Sequence, residues 1–307
     1  METISTSVEI LLSTYNGALF IEELLESLCR QTYKNFTVLT RDDGSIDDTV
    51  SRIDAFGNRL SISRIDRVPD RNIGALRSFE RLLNQSSAEI VMPCDQDDIW
   101  NDNKIERSLY WYLHKKKQVE NDTPVLCFSD LSLIDDKGNP LGNSFQKMLG
   151  TNINSIYDPY YLTFRNPAPG CSMVINRQLF SSTLPFDKNA IMHDWWIIID
   201  ASLRGSICYI NEQLVRYRIH SSNALGIKED RSLPPLLSVI SLFNPFKLFS
   251  VISKITKNIR QGKTVFRKNG RSFSVFIYWF KLITGRYFMP SIVRMVKRGK
   301  RFSWKPT

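Results

Sequence analysis

Ile90-Val91-Met92-Pro93-Cys94-Asp95-Gln96-Asp97-Asp98, residues 90–98, sets a short apolar run directly before three carboxylates within four positions. The run has the length of a buried strand, and the carboxylates stand where that strand should end. Packed so closely with no partner, such groups repel one another and one of them tends to hold a proton, so a cation is the economical explanation for the cluster. A calcium loop beginning at Asp95 would find ligand-type residues at Asp97, Asn101, Asn103 and Glu106. Its sharp turn needs glycine at the sixth position, however, and that position is Trp100. A solvated acidic turn with capping aspartates before Asn103 is the bland alternative.

Outward from this stretch, residues 8–93 alternate apolar β-type runs with helical patterns. Val8 to Leu12 is followed by the turn Ser13-Thr14-Tyr15-Asn16-Gly17, then by Leu19 to Gln31 with Leu24, Leu25 and Leu28 at helical spacing. Phe36 to Leu39 predicts a second strand, Asp47 to Phe56 a helix, Ile62 to Ile65 a third strand and Gly74 to Asn84 a helix before Ile90. This rhythm calls for a parallel α/β sheet with right-handed crossovers. In open sheets of this kind, ligands bind beyond the carboxyl ends of the strands. Ser13 to Gly17, Asp42-Asp43-Gly44-Ser45 and Asp95 to Asp98 all fall at such ends, so three polar loops are expected on one rim. Two unrelated acidic turns there would only add repulsion, whereas a nucleotide diphosphate carried with a divalent cation uses both. Neither G-x-G-x-x-G after the first strand nor a P-loop is present, so a cation must replace the usual glycine cradle for phosphate.

Beyond Asp98 the pattern is mixed. Asn103 to Lys117 predicts a helix, Val125 to Phe128 a strand and Asp135 to Asn139 a turn. The rigid loop Asn166-Pro167-Ala168-Pro169-Gly170 precedes a strand-like Cys171 to Ile175. His193-Asp194-Trp195-Trp196 opens an apolar helix ending near Gly205, and Leu214 to His220 reads as a last strand.

Charge divides the 307-residue chain, whose formal net charge is +10. From Ser232 onward there are 16 Lys or Arg and no Asp or Glu, against 25 basic and 31 acidic residues before it. The tail interleaves this charge with bulky apolar residues from Phe243 to Ile252 and from Phe273 to Phe280. That combination predicts a basic amphipathic helical extension, residues 232–307, lying at an anionic membrane surface; packing on the main domain, residues 1–231, is the alternative. Nucleic acid is not expected as a partner, nor is an obligate protein partner. No run is apolar enough to span a bilayer, and the N-terminus carries Glu2 and Glu9 rather than a basic leader, so a cytoplasmic protein, peripheral on the inner face of the membrane, is expected. Five scattered cysteines without a C-x-x-C favour reduced, buried thiols.

Taken in order, Ser13-Thr14-Tyr15-Asn16-Gly17, Asp42-Asp43-Gly44-Ser45, Asn72-Ile73-Gly74, Asp95-Gln96-Asp97-Asp98 and His193-Asp194-Trp195-Trp196 resemble the family 2 glycosyltransferases with the GT-A fold. The resemblance extends over residues 7–225. With Tyr217-Arg218-Ile219-His220-Ser221-Ser222-Asn223, the pattern is similar to bacterial rhamnosyltransferases of surface polysaccharide assembly. It implies a Rossmann-like mixed α/β sheet flanked by helices, and an inverting, metal-dependent glycosyltransferase. The implied donor is a nucleotide-diphosphate sugar, with dTDP-L-rhamnose ahead of a UDP-sugar, and the acceptor a lipid-linked bacterial saccharide. On this resemblance Ser13 and Tyr15 flank the donor base, Asp42 accepts from the base or ribose, Asn72 meets the nucleotide and Asp95 faces the ribose. Asp97 holds Mg²⁺ or Mn²⁺, with Asp95 and Asp98 in the same shell, and Asp194 is the base that deprotonates the acceptor. Trp195 and Trp196 exclude water or stack on sugar. His220 either completes the metal shell, contacts the diphosphate or simply bonds the backbone. The loop 166–170 lies near the acceptor.

Overall fold

The computed structural model describes residues 6–65, 72–220 and 245–277. In chain order, β1 (Val8–Thr14), α1 (Ile21–Cys29), β2 (Phe36–Asp42), α2 (Thr49–Asp54), β3 (Ile62–Arg64), α3 (Ala75–Gln85) and β4 (Ile90–Asp95) realise the expected alternation. They are followed by β5 (Ile99–Trp100), α4 (Lys104–Lys116), β6 (Val125–Ile134), β7 (Pro140–Gly142), α5 (Phe145–Leu149), α6 (Pro159–Phe164), β8 (Met173–Asn176), α7 (Arg177–Thr183), α8 (His193–Arg204), β9 (Ser206–Arg218) and α9 (Pro245–Lys268).

One mixed sheet runs β3-β2-β1-β4-β8-β6-β9-β5, with β7 on β6. The first four strands are parallel. β8 is antiparallel to both β4 and β6, β6 and β9 are parallel, and β5 is antiparallel to β9. Alternation along the strands sorts the core into two layers, because successive side chains leave a strand on opposite faces. Ile10 and Leu12 of β1 and Met92 and Cys94 of β4 join one cluster, packed with Leu24, Leu25 and Leu28 of α1 and Ile105 and Leu109 of α4. Leu11 and Val91 join the other, with Phe79 and Leu82 of α3 and Trp196 to Ile199 of α8. A sheet covered on both faces buries near-continuous apolar strands, as the sequence of β1 and β4 requires.

The strands β6 and β9 are longer than the apolar runs that announce them. β6 continues to Ile134, and β9 begins at Ser206 and runs for 13 residues, with register shifts around Asp130. Asp130 is buried there, but its carboxylate takes bonds from the Ser144 hydroxyl at 2.5 Å, the Gln146 amide at 3.1 Å and the Gln213 side chain at 3.3 Å. A buried charge inside a strand is tolerable because it is multiply bonded.

The helix α9 carries basic residues as the composition demands, and its buried stripe is Asn258, Gln261, Gly262, Val265 and Phe266, spaced as one helical face. That stripe packs on α6 and α8. A Cβ on Gly262 would stand 2.5 Å from Thr163 Cγ2, so the close approach of α9 to α6 depends on glycine. The Gln261 side chain accepts the Ile191 amide at 2.7 Å, and Asn269 donates to the buried Asp200 at 2.7 Å. Gly270 ends the helix at φ 65°, letting the Arg271 amide reach back to the Phe266 carbonyl at 2.8 Å. Phe273 then closes an aromatic cluster with Phe266 and Tyr160. Burial of Val265 and Phe266 contributes about 1.5–3 kcal/mol each to this docking. No helix among the described residues is long and apolar enough to cross a membrane. The boundary at residues 231/232 and the apolar residues from Tyr278 onward lie outside the described residues, as do Ser221, Ser222 and Asn223.

Candidate functional site

The three rim loops meet as the strand order requires. Ser13 pairs with Arg41 on one side and Asp95 on the other, and Thr14 pairs with Asp42. The carboxyl ends of β1, β2 and β4 are therefore adjacent, and the turns that leave them are laced together. Asn16, at φ 47°, donates its amide to the Ser45 hydroxyl at 2.8 Å and accepts the Ile46 amide on its side chain at 2.9 Å. Asparagine is one of the few residues that enters this backbone region readily, and it bonds locally while there. Gln96 clamps Tyr15 from β4, accepting its amide at 2.8 Å and donating to its carbonyl at 3.0 Å. A Cβ on Gly17 would fall 2.3 Å from the Gln96 Oε1, so glycine at that position makes room for the clamp. The Tyr15 ring is left exposed at the mouth of the rim.

Asp42 and Asp43 have different duties. Asp42 takes the Thr14 hydroxyl at 2.9 Å, the Ser45 hydroxyl at 2.6 Å and the amides of Gly44 and Ser45 at 3.1 and 2.7 Å. Asp43 is buried against Arg41 at 2.6 Å, and it accepts the amides of Ile73 and Gly74 at 2.9 and 2.8 Å. That pair fixes where the segment carrying Asn72 rejoins the sheet. Asn72 itself is exposed and accepts the Gly74 amide at 3.1 Å.

The cluster at the end of β4 is built differently. β5 turns back against β9, with Ile99 opposite Arg216 and Trp100 opposite Val215, which lays residues 218–220 along 97–98. His220 Nε2 lies 2.7 Å from Asp97 Oδ2. The Arg218 amide donates to Asp98 Oδ1 at 3.0 Å. Its fully buried guanidinium donates to the Asp97 carbonyl at 2.8 Å, to Glu23 at 2.9 Å and to the Asp136 carbonyl at 3.0 Å, and sits 4.7 Å from the centre of the Phe20 ring. Arg218 thus holds the acidic turn to α1, β9 and the turn after β6. It stood inside the 217–223 motif with no role of its own, and only strand pairing reveals one.

Asp95, Asp98 and the Cys171 thiol form a compact group, their candidate ligand atoms all within 4.8 Å of one another. Cys171 arrives because the short 3₁₀ turn Gly170–Ser172 packs over β4. Nothing in the sequence marked it. Oδ2 of Asp98 is buried and receives no N–H or O–H donor. Burial, followed by Asp97 and then Asp95, holds Asp98 well above the usual carboxylate range. Burial, with Asp97 and Asp194 beside it, pushes Asp95 up to about 8. Burial pushes the Cys171 thiol up as well, so it stays protonated. Lys104 lies beneath, fully buried, its Nζ 3.3 Å from the centre of the Trp100 ring and without a hydrogen-bond partner, and burial pulls it down to about 8.

Asp194 reaches the same cluster from the first turn of α8. Oδ1 accepts the Trp195 amide at 2.6 Å and Oδ2 the Gly170 amide at 3.1 Å, with Asn166 beside it. These bonds and the helix N-terminus favour the carboxylate, but burial outweighs them and pushes Asp194 up to about 6. A carboxylate that titrates there can take a proton at neutral pH. Behind it His193 is buried and stacked 3.8 Å from the Phe79 ring, with both ring nitrogens unbonded. Burial pulls it down to about 3, so it is neutral. Trp196 is fully buried and Trp195 nearly so, its Nε1 donating to the Leu162 carbonyl at 2.6 Å. Both indoles belong to the core beneath α8. They can exclude water from Asp194, but neither face is open for stacking on a sugar.

The sequence profile of Glycosyl transferase family 2 matches residues 9–168. The chain belongs to that family. As a family 2 glycosyltransferase it is 28% identical over 229 residues to the dTDP-rhamnosyl transferase RfbG of Shigella flexneri, covering 70% of this chain and 73% of that one. It is 24% identical over 247 residues to the glycosyltransferase GlyG of Streptococcus pneumoniae serotype 4, covering 74% and 76%. Among solved structures, S. aureus TarS 1–349 in complex with UDP-GlcNAc superposes with a TM-score of 0.54 at 17% identity, covering 71% of this chain and 60% of that one. The mannosyltransferase PcManGT from Pyrobaculum calidifontis, in complex with GDP-Man and Mn²⁺, gives 0.55 at 13% identity, covering 96% and 80%. The fold is of the GT-A type that the motif order implied. The profile match ends just after α6, so Asp194, Arg218 and His220 come from beyond it.

Proposed function

We propose that this family 2 glycosyltransferase is inverting and metal-assisted, and that it moves L-rhamnose from a dTDP donor onto a lipid-linked bacterial saccharide. One observation carries the chemistry: Asp194 lies close enough to Asp95 to raise its proton affinity, on a rim where Asp97 and Asp98 also converge. A base and a cluster of short-handed acids are thereby brought to one place.

The cluster fits a hard divalent cation. Its donors are mainly carboxylate oxygens, one of them buried with no N–H or O–H donor, and their mutual repulsion is what a cation would relieve. Asp95, Asp97 and Asp98 would hold Mg²⁺ or Mn²⁺, with His220 beside Asp97. Bound there, the ion would offset charge on a leaving nucleoside diphosphate. The rest falls to side chains. Ser13, Tyr15, Asn72 and the loop shaped by Asp42 would border the base and ribose. Asp42 acts there through the turn it shapes, since its oxygens already hold four donors. Asp194 would take the proton of the acceptor hydroxyl as the sugar carbon is attacked from the face opposite the diphosphate. One displacement inverts the anomeric configuration.

The rhamnosyl donor is favoured by the similarity to a protein named dTDP-rhamnosyl transferase. A UDP-sugar is the second reading, favoured by the superposition on TarS in complex with UDP-GlcNAc. The basic, apolar tail supports a membrane-borne acceptor, because an enzyme whose substrate is moored in a leaflet gains by residing there. Thermal-shift titration with dTDP-, UDP- and GDP-sugars, each with and without Mn²⁺, tests the donor. The largest Mn²⁺-dependent shift is expected for dTDP-rhamnose; a flat response to every nucleotide sugar would refute the reading.

A further inference from the structure

Away from the rim, an open cleft of 640 Å³ lies between α9 and the segment joining α7 to α8. Its apolar floor is the exposed ring of Pro185, with Phe186 and Trp196 buried behind it and the Trp196 Nε1 without a hydrogen-bond acceptor. Its edge carries three cations. Lys268 is fixed in place, its Nζ donating to the Thr183 carbonyl and, at 3.4 Å, to the Leu184 carbonyl. Lys188 and Arg267 are exposed, and among the described residues neither side chain has an ion pair or hydrogen bond. The acid at this edge is already engaged: Asp187 accepts the Asn189 amide and side chain, both at 2.8 Å. Asp200, close by, is taken by Arg204, Thr183 and Asn269. The cleft therefore presents net positive charge over an apolar floor.

We infer that this cleft binds a phosphate mono- or diester, with Lys188 and Arg267 closing on the anionic oxygens and Lys268 behind them. Exposed, unpaired cations on a fixed concave frame suit phosphate, since the frame is organised before the ligand arrives. The apolar floor suits a phosphate with hydrocarbon attached, as in a lipid headgroup. Lys257, Arg260 and Lys263 continue the charge along the exposed face of α9, which would lie toward an anionic surface when the cleft is filled. The inference deepens the membrane reading given above by assigning it a site, and it is independent of the donor chemistry.

Calorimetric titration of the whole chain with inorganic phosphate, and separately with a short-chain phosphatidylglycerol below its micellar concentration, tests it at matched ionic strength. Saturable binding is expected, and the double variant Lys188→Gln, Arg267→Gln should weaken it about tenfold or more, as loss of two phosphate-facing charges implies. The double variant Lys257→Gln, Arg260→Gln removes equal charge from the same helix outside the cleft and should change affinity by about twofold at most. Tighter binding of the lipid than of free phosphate would identify a headgroup as the source; equal binding would identify the phosphate alone. Absence of saturable binding, or equal loss in both variants, would overturn the site. Nucleotide-sugar binding measured in parallel should be unchanged in both, so failure here is distinguishable from failure of the donor reading.

Discussion

The two acidic turns on the rim are spent in opposite ways. At the end of β2, Asp42 and Asp43 receive every available bond from the chain itself, including a buried guanidinium, and their work is to hold loops. At the end of β4, Asp95 and Asp98 are crowded and raised in proton affinity by burial and by neighbouring carboxylates, with Asp98 Oδ2 receiving no N–H or O–H donor, and Asp194 beside them is raised by burial despite its backbone bonds. Equal local composition thus yields scaffold in one turn and stored electrostatic demand in the other. In the first turn Arg41, supplied by β2 itself, pairs directly with Asp43. At the second, Arg218 spends its guanidinium on the Asp97 and Asp136 carbonyls and on Glu23, His220 lies against Asp97, Lys104 is buried beneath and the Cys171 thiol stands beside.

The sharpest way to break this contrast is at Asp194. The variant Asp194→Asn should keep donor affinity and lower the transfer rate by about 10²–10⁴-fold, the range for loss of a positioned base. In the unmodified enzyme, transfer should fall as pH drops through about 6, where Asp194 gains its proton. Unchanged turnover in the variant would make Asp194 a helix cap and nothing more.

The scaffold side is tested at Asp43. Removing one member of a buried, hydrogen-bonded ion pair leaves the other charge uncompensated, so Asp43→Asn should cost about 3–5 kcal/mol in denaturant unfolding. A loss confined to donor binding, with stability intact, would move Asp43 from the scaffold to the site.

The parallel half of this contrast was legible in the sequence. Each strand from Val8 to Asp95 carries its own turn and helix, so the order of elements and the convergence of three loops follow from local punctuation. The other half was not. Asp130, Asn211, Glu212 and Gln213 interrupt the apolar runs that would have announced β6 and β9 in full; the register shift brings Gln213 to Asp130, Glu212 is bonded by Arg107 and Trp111, and Asn211 faces solvent. Asp194 lies about a hundred residues from Asp95, beyond what spacing can relate, and its place was implied by family likeness alone. Cys171 and Lys104 had no signal, since an isolated thiol and a helical lysine each read as ordinary.

A third measurement concerns the cation. If Asp98 contributes a ligand, Mn²⁺ at a hundredfold excess over its dissociation constant should stabilise the protein by about 2.7 kcal/mol, and Asp98→Asn should remove most of that gain. The same variant should leave the metal-free protein as stable as before or more so, because it removes a buried group whose charged form is disfavoured. Equal Mn²⁺ stabilisation in the variant would place the ion elsewhere.

The pH dependence of stability is the most direct reading of the stored repulsion. Asp95 and Asp194 are raised in the folded protein, to about 8 and about 6, so the native state holds protons that the unfolded chain releases near pH 4. A raised carboxyl contributes stability that is complete below its unfolded value and is lost as pH rises through its folded value. Without added metal, stability should therefore decline between about pH 4 and pH 8. Asp95→Asn should flatten the upper part of that decline, and Mn²⁺ should reverse it, since a bound cation favours the ionised carboxylates. A pH profile of unfolding for the Asp95→Asn chain, with and without Mn²⁺, reads the repulsion at the end of β4 in a single experiment. A decline that persisted unaltered in the variant would locate the repulsion somewhere other than the end of β4.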